Sequence, residues 1–305
     1  MINFRYHVIS LAAVFVALAV GAVFGTAAAN GYATDVLRGS IDAAHKTNDQ
    51  LRQTTDDLQE EASRKDDYIN DTAPAVLRGT LANRRIVVLT TPSGRDRAEG
   101  VIEKLELAGA AVSGPIHIQE AFFDPKNSLD LLGLTRRSSP PPITLPGNSN
   151  GVETASALLA TTLLGPASAH HPTVLPAFAN AGYLAAPKQL DGPSDGAVLV
   201  TGAPYVERNS AERNAAIVTM AAQIALIGRT VLAGTISGDG SSVGIVRGDE
   251  ALHARISTVD GVAGAQGQVA AALALAEQIT ANRGGRYGTA GDADALIPRQ
   301  TITGG

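Results

Sequence analysis

Ile86-Val87-Val88-Leu89-Thr90, followed at once by Thr91-Pro92-Ser93-Gly94, is the stretch that decides the fold. Five residues rich in β-branched side chains and bounded by turn formers have the length and composition of a strand buried on both faces. The Pro-Ser-Gly turn leads into a helix predicted over Asp96 to Ala108, and Ala110 to Ile118 reads as a second strand. Strand, turn, helix and strand make a βαβ unit, the repeating piece of a parallel sheet.

Further along, Ala197 to Thr201 (AVLVT) and Thr230 to Gly234 (TVLAG) repeat the apolar run and flank a predicted helix from Ser210 to Ile227. Continuous apolar strands are the mark of a parallel sheet covered on both faces. Val152 to Leu164, Ala215 to Ile227 and Val269 to Ile279 are mostly apolar, the second with only Thr219 and Gln223 as polar members, yet too short to span a bilayer, so they read as buried core helices. Gly238, Gly240 and Gly244 are expected to turn a hairpin into a strand over Val243 to Arg247. Arg136 to Gly151 (RRSSPPPITLPGNSNG) reads as an exposed loop, and the tail from Gly288 onward reads as loose.

Toward the amino end, residues 8–29 (VISLAAVFVALAVGAVFGTAAA) carry no charge. As a helix they extend roughly 33 Å, enough for a hydrocarbon core about 30 Å thick. Val8, Leu11, Phe15, Leu18 and Phe24 are the chief anchoring side chains. The competing reading is a cleaved secretory signal with its cut among Thr26 to Ala29. Arg5 precedes the span and the first charge after it is Asp35, so the positive-inside tendency places the amino end in the cytoplasm and the rest outside it.

After the span, Leu37, Ile41, Ala44, Asn48, Leu51, Thr55, Leu58, Ala62, Lys65 and Ile69 recur at alternating steps of four and three. With Ile41 at heptad position a, Ala44, Leu51 and Leu58 fall at d, and Asn48 and Thr55 are polar a residues. Such a seam predicts self-association through a parallel coiled coil, the alternative being a lone solvated helix that acts as a spacer. Acidic-first pairs four apart (Asp42 with Lys46, Glu60 with Arg64, Glu61 with Lys65) support the helix. Pro74 is expected to end it.

The predicted architecture is therefore α/β. A transmembrane or signal-like helix (1–30) and an acidic coiled-coil stalk (31–73) precede a Rossmann-like layered domain with a mostly parallel sheet (74–287) and a flexible tail (288–305). The net charge is −5, and Asp35 to Asp71, with ten acidic and five basic residues, accounts for all of it. Nucleic acid, which needs clustered cations, is excluded as a partner. There is no Cys, so an exported domain must hold by its core alone.

Chemical motifs are sparse. Thr91 to Gly94 joins a strand to a helix, as phosphate-binding turns do, but no GxGxxG or Walker lysine accompanies it and a plain tight turn is the simpler reading. No GxSxG, HExxH or CxxC occurs, so no catalytic residues are assigned and no enzyme activity is expected. His170 and His171 are the adjacent imidazole pair, a ligand type that suits copper(II), zinc or nickel. Beside Pro172 they read more simply as a solvated loop. Met1 and Met220 are the only soft ligands, so tight Cu(I) binding and a tightly held cofactor are not expected.

Taken together, several segments resemble the MctB-type copper transporter family of mycobacteria. They are the opening RYHVISLAAVFVALAVG (5–21), the acidic heptads, the strand before Thr91-Pro92, Ile256-Ser257-Thr258-Val259-Asp260, Gly267-Gln268-Val269 and Arg286-Tyr287-Gly288. The likeness covers nearly the whole chain and is loosest from Phe123 to Pro172. It implies an envelope protein of the outer membrane that forms channels, with copper as the transported ion, and it supplies no copper-ligand motif. The residues themselves show no run of amphipathic strands, so a pore would have to come from several chains meeting through anchor and stalk. The alternative expectation is a non-transporting scaffold that presents the α/β domain outside the membrane.

Overall fold

A computed structural model describes residues 4–141, 143–165, 169–187, 190 and 192–299. The chain divides into two units, one up to Arg64 and one from Lys65. The first is built on helix α1 (Phe4–Leu77). Its stretch Arg5–Thr26 has a mean hydropathy of 2.6 and no buried residue, and it is long and apolar enough to cross a membrane. Farther along, Leu37, Ile41, Leu51 and Leu58 are all exposed, as side chains awaiting a partner helix or solvent are. Glu60 and Arg64 form the expected ion pair.

Pro74 does not end the helix. It lies inside α1, which runs on to Leu77. The missing amide removes one backbone bond, while Ala73 and Leu77, on the face one turn apart, are fully buried in an apolar cluster of the second unit. Asp66, also in that unit, accepts a hydrogen bond from the Ala265 amide at 2.9 Å.

The second unit is a seven-stranded sheet. In chain order the strands are β1 (Arg85–Thr90), β2 (Ala111–Ile118), β3 (Leu184–Ala185), β4 (Gly196–Val200), β5 (Arg229–Ala233), β6 (Ile256–Val259) and β7 (Arg286–Tyr287). They lie in the order β3-β2-β1-β4-β5-β6-β7, and every neighbouring pair is parallel except β2 with the edge strand β3. The remaining helices are α2 (Ala98–Leu107), α3 (Glu120–Phe123), α4 (Ser128–Ser138), α5 (Gly151–Leu164), α6 (His171–Asn180), α7 (Ser210–Ile227), α8 (Ser242–Gly248), α9 (Glu250–His253) and α10 (Ala265–Ala281).

Period-two alternation sends successive strand side chains to opposite faces. Val87, Leu89, Ala197 and Leu199 join a core with α4, α5, α6 and α7. Ile86, Val88, Val198 and Val200 join a second core with α2, α10 and the end of α1. Both faces are covered, which is why these strands read as unbroken apolar runs.

Two local expectations fail, the strand over Val243 to Arg247 and the loose tail, while a helix and a loop shift only at their bounds. The strand expected over Val243 to Arg247 is helix α8, capped by the Ser241 hydroxyl accepting from the Gly244 amide at 3.0 Å. Its buried Val243 and Val246 are three apart, a helical spacing that a five-residue apolar run hides. The helix expected from Asp96 starts instead as a 3-10 turn over Pro92–Arg97 that hands on to α2. The loop expected over Arg136 to Gly151 begins as the last turn of α4, and its Ile143 and Leu145 pack partly against the first core. The tail read as loose is fastened over residues 288–299, as set out below, and residues 300–305 lie outside the described residues.

Candidate functional site

From β1 the chain passes to β2 on one side and later returns to β4 on the other, so the switch of direction falls between β1 and β4. In open parallel sheets the crevice at the carboxyl ends of such strands is the usual place for a ligand. Here that crevice is filled by its own turn. The Thr91 amide donates to the Val200 carbonyl at 2.9 Å, the Gly202 amide donates to the Ser93 hydroxyl at 3.2 Å, and the Gly94 amide donates to the Thr91 carbonyl at 3.1 Å. A Cβ at Gly94 would strike the Val200 carbonyl, and one at Gly202 would strike the Ser93 carbonyl, so both positions need glycine for close approach. The amides that would hold an anion are engaged by the protein, and Thr91 to Gly94 is a packed turn.

Around this plug lies a polar cluster. The Thr90 hydroxyl is 2.8 Å from His117 Nδ1, its register partner on β2. Arg95 donates to Gln119 at 3.3 Å. Glu120 accepts from the Tyr205 hydroxyl at 3.0 Å and pairs with Arg213, whose guanidinium lies 3.8 Å over the Tyr205 ring. Asn214, buried, grips both the amide and the carbonyl of Tyr205. Burial, with the Glu120 charge, pushes the Tyr205 phenol far above its usual range. These contacts tie β2, α3 and the loop before α7 into one hydrogen-bonded cluster.

A second cluster sits at the carboxyl ends of β6 and β7. Arg247, buried, reaches Asp260 at 2.9 Å, Asp292 at 2.7 Å, the Thr258 hydroxyl at 3.0 Å and the Tyr287 carbonyl at 2.6 Å. Asp260, also buried, accepts from the Thr289 amide at 2.7 Å, and a Cβ at Gly288 would strike its carboxylate. Asp294 pairs with Arg286, and the Gly288 amide bonds the Ala295 carbonyl. Although burial works against it, Asp292 is held below the usual carboxylate range by hydrogen bonds from Ser237 and Arg247. These contacts fasten the carboxy-terminal segment, and sequence reasoning missed them. The available signal was Asp260, an acidic residue directly after the wholly apolar or hydroxyl-bearing strand Ile256 to Val259.

His170 and His171 do not form a loop pair. His170 is half-buried just before α6, whereas His171 is the first residue of that helix and is buried, its Nε2 without a partner among the described residues. The expectation of a solvated pair fails because Val174, Leu175 and Phe178 turn this segment into a core-facing helix. Among the described residues no three His, Asp or Glu side chains converge as a metal site would require.

Two imidazoles are tuned by their surroundings. Burial, then the charge of Arg95, lowers His117 below the ordinary 6.5, and burial lowers His171 against an opposing hydrogen bond at Thr162. Below pH 6.5 the unfolded chain therefore binds more protons than the folded one, so the stability that is full above 6.5 falls as pH drops toward the folded values. The melting temperature is expected to be lower at pH 5.5 than at 7.5, by a smaller margin in His171→Phe. An unchanged margin in that variant would contradict the assignment.

One apolar helix long enough to cross a membrane, followed by a mostly parallel sheet covered on both faces, defines the class as a mixed α/β protein with a candidate amino-terminal membrane span. The chain belongs to the family described as "Copper transport outer membrane protein, MctB", which matches residues 1–298. Proteins named "Copper transporter MctB" from Mycobacterium tuberculosis and Mycobacterium bovis are each 29% identical over 323 aligned positions, covering 98% of this chain and 100% of the relative. The protein of that name from Mycobacterium leprae is 29% identical over 326 positions with the same coverage.

Proposed function

We propose that this protein is a membrane-anchored component of copper efflux in the cell envelope, acting as a pore or pore component assembled from several copies. The observation that carries the reading is the family match from residue 1 to 298, anchor and sheet domain alike. A single helix encloses no path for an ion, and in lipid only a bundle or a closed barrel does. The exposed seam of Leu37, Ile41, Leu51 and Leu58 supplies the means of assembly. Its polar a residues Asn48 and Thr55 favour defined register and low copy number. In this reading copper is the transported ion, as the names of the relatives support. The sheet domain lies on the extracytoplasmic side, a reading supported by the charge asymmetry around the span, and the family's description supports the outer membrane as its location.

Deleting the gene and measuring cellular copper by mass spectrometry tests this. Copper is expected to rise several-fold in copper-loaded cells and return to the parental level with the full chain, but not with Leu51→Glu/Leu58→Glu. Unchanged copper on deletion would remove the reading. A scaffold without transport is the second reading, favoured by the single apolar helix, which encloses no ion path within one chain. Stepwise conductance of the purified chain in planar bilayers would exclude it.

A further inference from the structure

The amino-terminal edge of the sheet carries a row of arginines: Arg84 and Arg85 at β1, Arg229 opening β5, Arg255 just before β6, and Arg283 ahead of β7. Three of them have partners. Arg84 pairs with Asp195 at 3.6 Å, Arg85 donates to the Pro193 carbonyl at 3.1 Å, and Arg283 pairs with Glu277. Among the described residues, the side chains of Arg229 and Arg255 have no hydrogen-bond or ion-pair partner.

Thr230 is the register partner of Ile256, so Arg229 and Arg255, each one residue earlier, start adjacent parallel strands about 4.8 Å apart. Both line one cavity of about 310 Å³, with Arg283 beside them and no carboxylate in its wall. Like charges placed side by side cost free energy unless an opposite charge lies between them. In a chain of net charge −5 this is a local excess of positive charge.

The frame that spaces the two cations is fixed. Gln278 is buried and accepts from the Thr230 amide at 2.9 Å while donating to the Arg255 carbonyl at 3.1 Å and the Ser257 hydroxyl at 3.0 Å. The carboxyl ends of α7 and α10 also gather here, and helix carboxyl ends favour cations. Yet the Ile224 and Gln278 carbonyls accept from the Gly228 and Asn282 amides, and neither free guanidinium bonds a helix carbonyl among the described residues. Both planar forks remain available to a ligand.

We propose that this cavity binds a phosphoryl dianion between Arg229 and Arg255, with Arg283 at its rim. Guanidinium forks match phosphate oxygens in pairs, and two adjacent cations match a dianion. The phosphoryl group belongs either to free phosphate or to a phosphate-ester headgroup, the exposed Leu226 and Ile227 lying beside the cavity.

Inorganic phosphate and glycerol 3-phosphate, titrated calorimetrically into the full chain in zwitterionic detergent, test the proposal. Saturable binding is expected, weakened at least tenfold in Arg229→Gln/Arg255→Gln and unchanged in the distant Arg136→Gln. Tighter binding of glycerol 3-phosphate assigns an ester headgroup, and tighter inorganic phosphate assigns the free ion. Phenylglyoxal labelling of the unaltered chain, read by peptide mass spectrometry, gives the same answer without a variant, because phosphate should slow modification at Arg229 and Arg255 several-fold but not at Arg136. No saturable binding of either probe, binding unaffected by the double substitution, or equal labelling at all three arginines with and without phosphate would overturn it.

Discussion

Arg247→Ala is expected to destabilise the sheet domain by about 3–5 kcal/mol, the cost of breaking a buried ion pair from one side. Arg247 and Asp260 have side chains only 2% and 3% exposed, so removing the guanidinium leaves the Asp260 carboxylate without its counter-charge and out of reach of water. The same change strips the Tyr287 carbonyl and Thr258 hydroxyl of their donor. For a domain of this size the melting temperature should fall by roughly 6–20 °C. Asp292→Ala removes the other carboxylate on the same guanidinium, but that side chain is 43% exposed, and solvent screening limits the loss to about 0–1 kcal/mol. The double change Arg247→Met/Asp260→Asn should recover part of the loss, because an amide oxygen still accepts from Thr289 and no charge is left buried. Thermal unfolding of the full chain in detergent checks all three. Equal effects for Arg247→Ala and Asp292→Ala would show that burial is not what matters here.

The second large effect is on the membrane. Ten strongly apolar residues between Val8 and Phe24 contribute roughly −3 to −6 kcal/mol of insertion free energy, about 10²- to 10⁴-fold in partition. Deleting residues 5–26 should therefore move the protein from the membrane to the soluble fraction. Leu18→Arg, at the centre of the span, replaces a favourable residue by one costing about 2.5–3.5 kcal/mol and should empty the membrane fraction several-fold. Leu18→Ile should not. Fractionation and immunoblotting decide it, and retention of the deleted chain on membranes would mean that another surface holds it there.

Much of the fold was legible because its signals are repeated. Ile86 to Thr90, Ala197 to Thr201 and Thr230 to Gly234 carry the same buried-strand pattern, and Ser210 to Ile227 is long enough for its helical period to show. The misreadings occur where a segment is too short to display a period. Val243 to Arg247 fits strand or helix, and the Ser241 cap, a hydrogen bond between residues three apart, selects helix. Pro74 misleads because the burial of Ala73 and Leu77 outweighs one lost backbone bond. Site chemistry was less legible. Arg247, Asp260 and Asp292 are far apart in sequence, as are Glu120, Tyr205 and Arg213, and only the meeting of strand ends brings each set together. The paired imidazoles were conspicuous in sequence, yet α6 buries one and leaves the other half-exposed.

Protease treatment of intact spheroplasts, followed by peptide mapping, is the most direct test of an anchor that holds the sheet domain outside the cytoplasm. Cleavage of the chain beyond residue 65 before lysis, with cytoplasmic markers intact, is the expected result. A domain that stays whole until the cells are lysed would place it inside, and the copper-efflux reading would have no means of acting in the envelope.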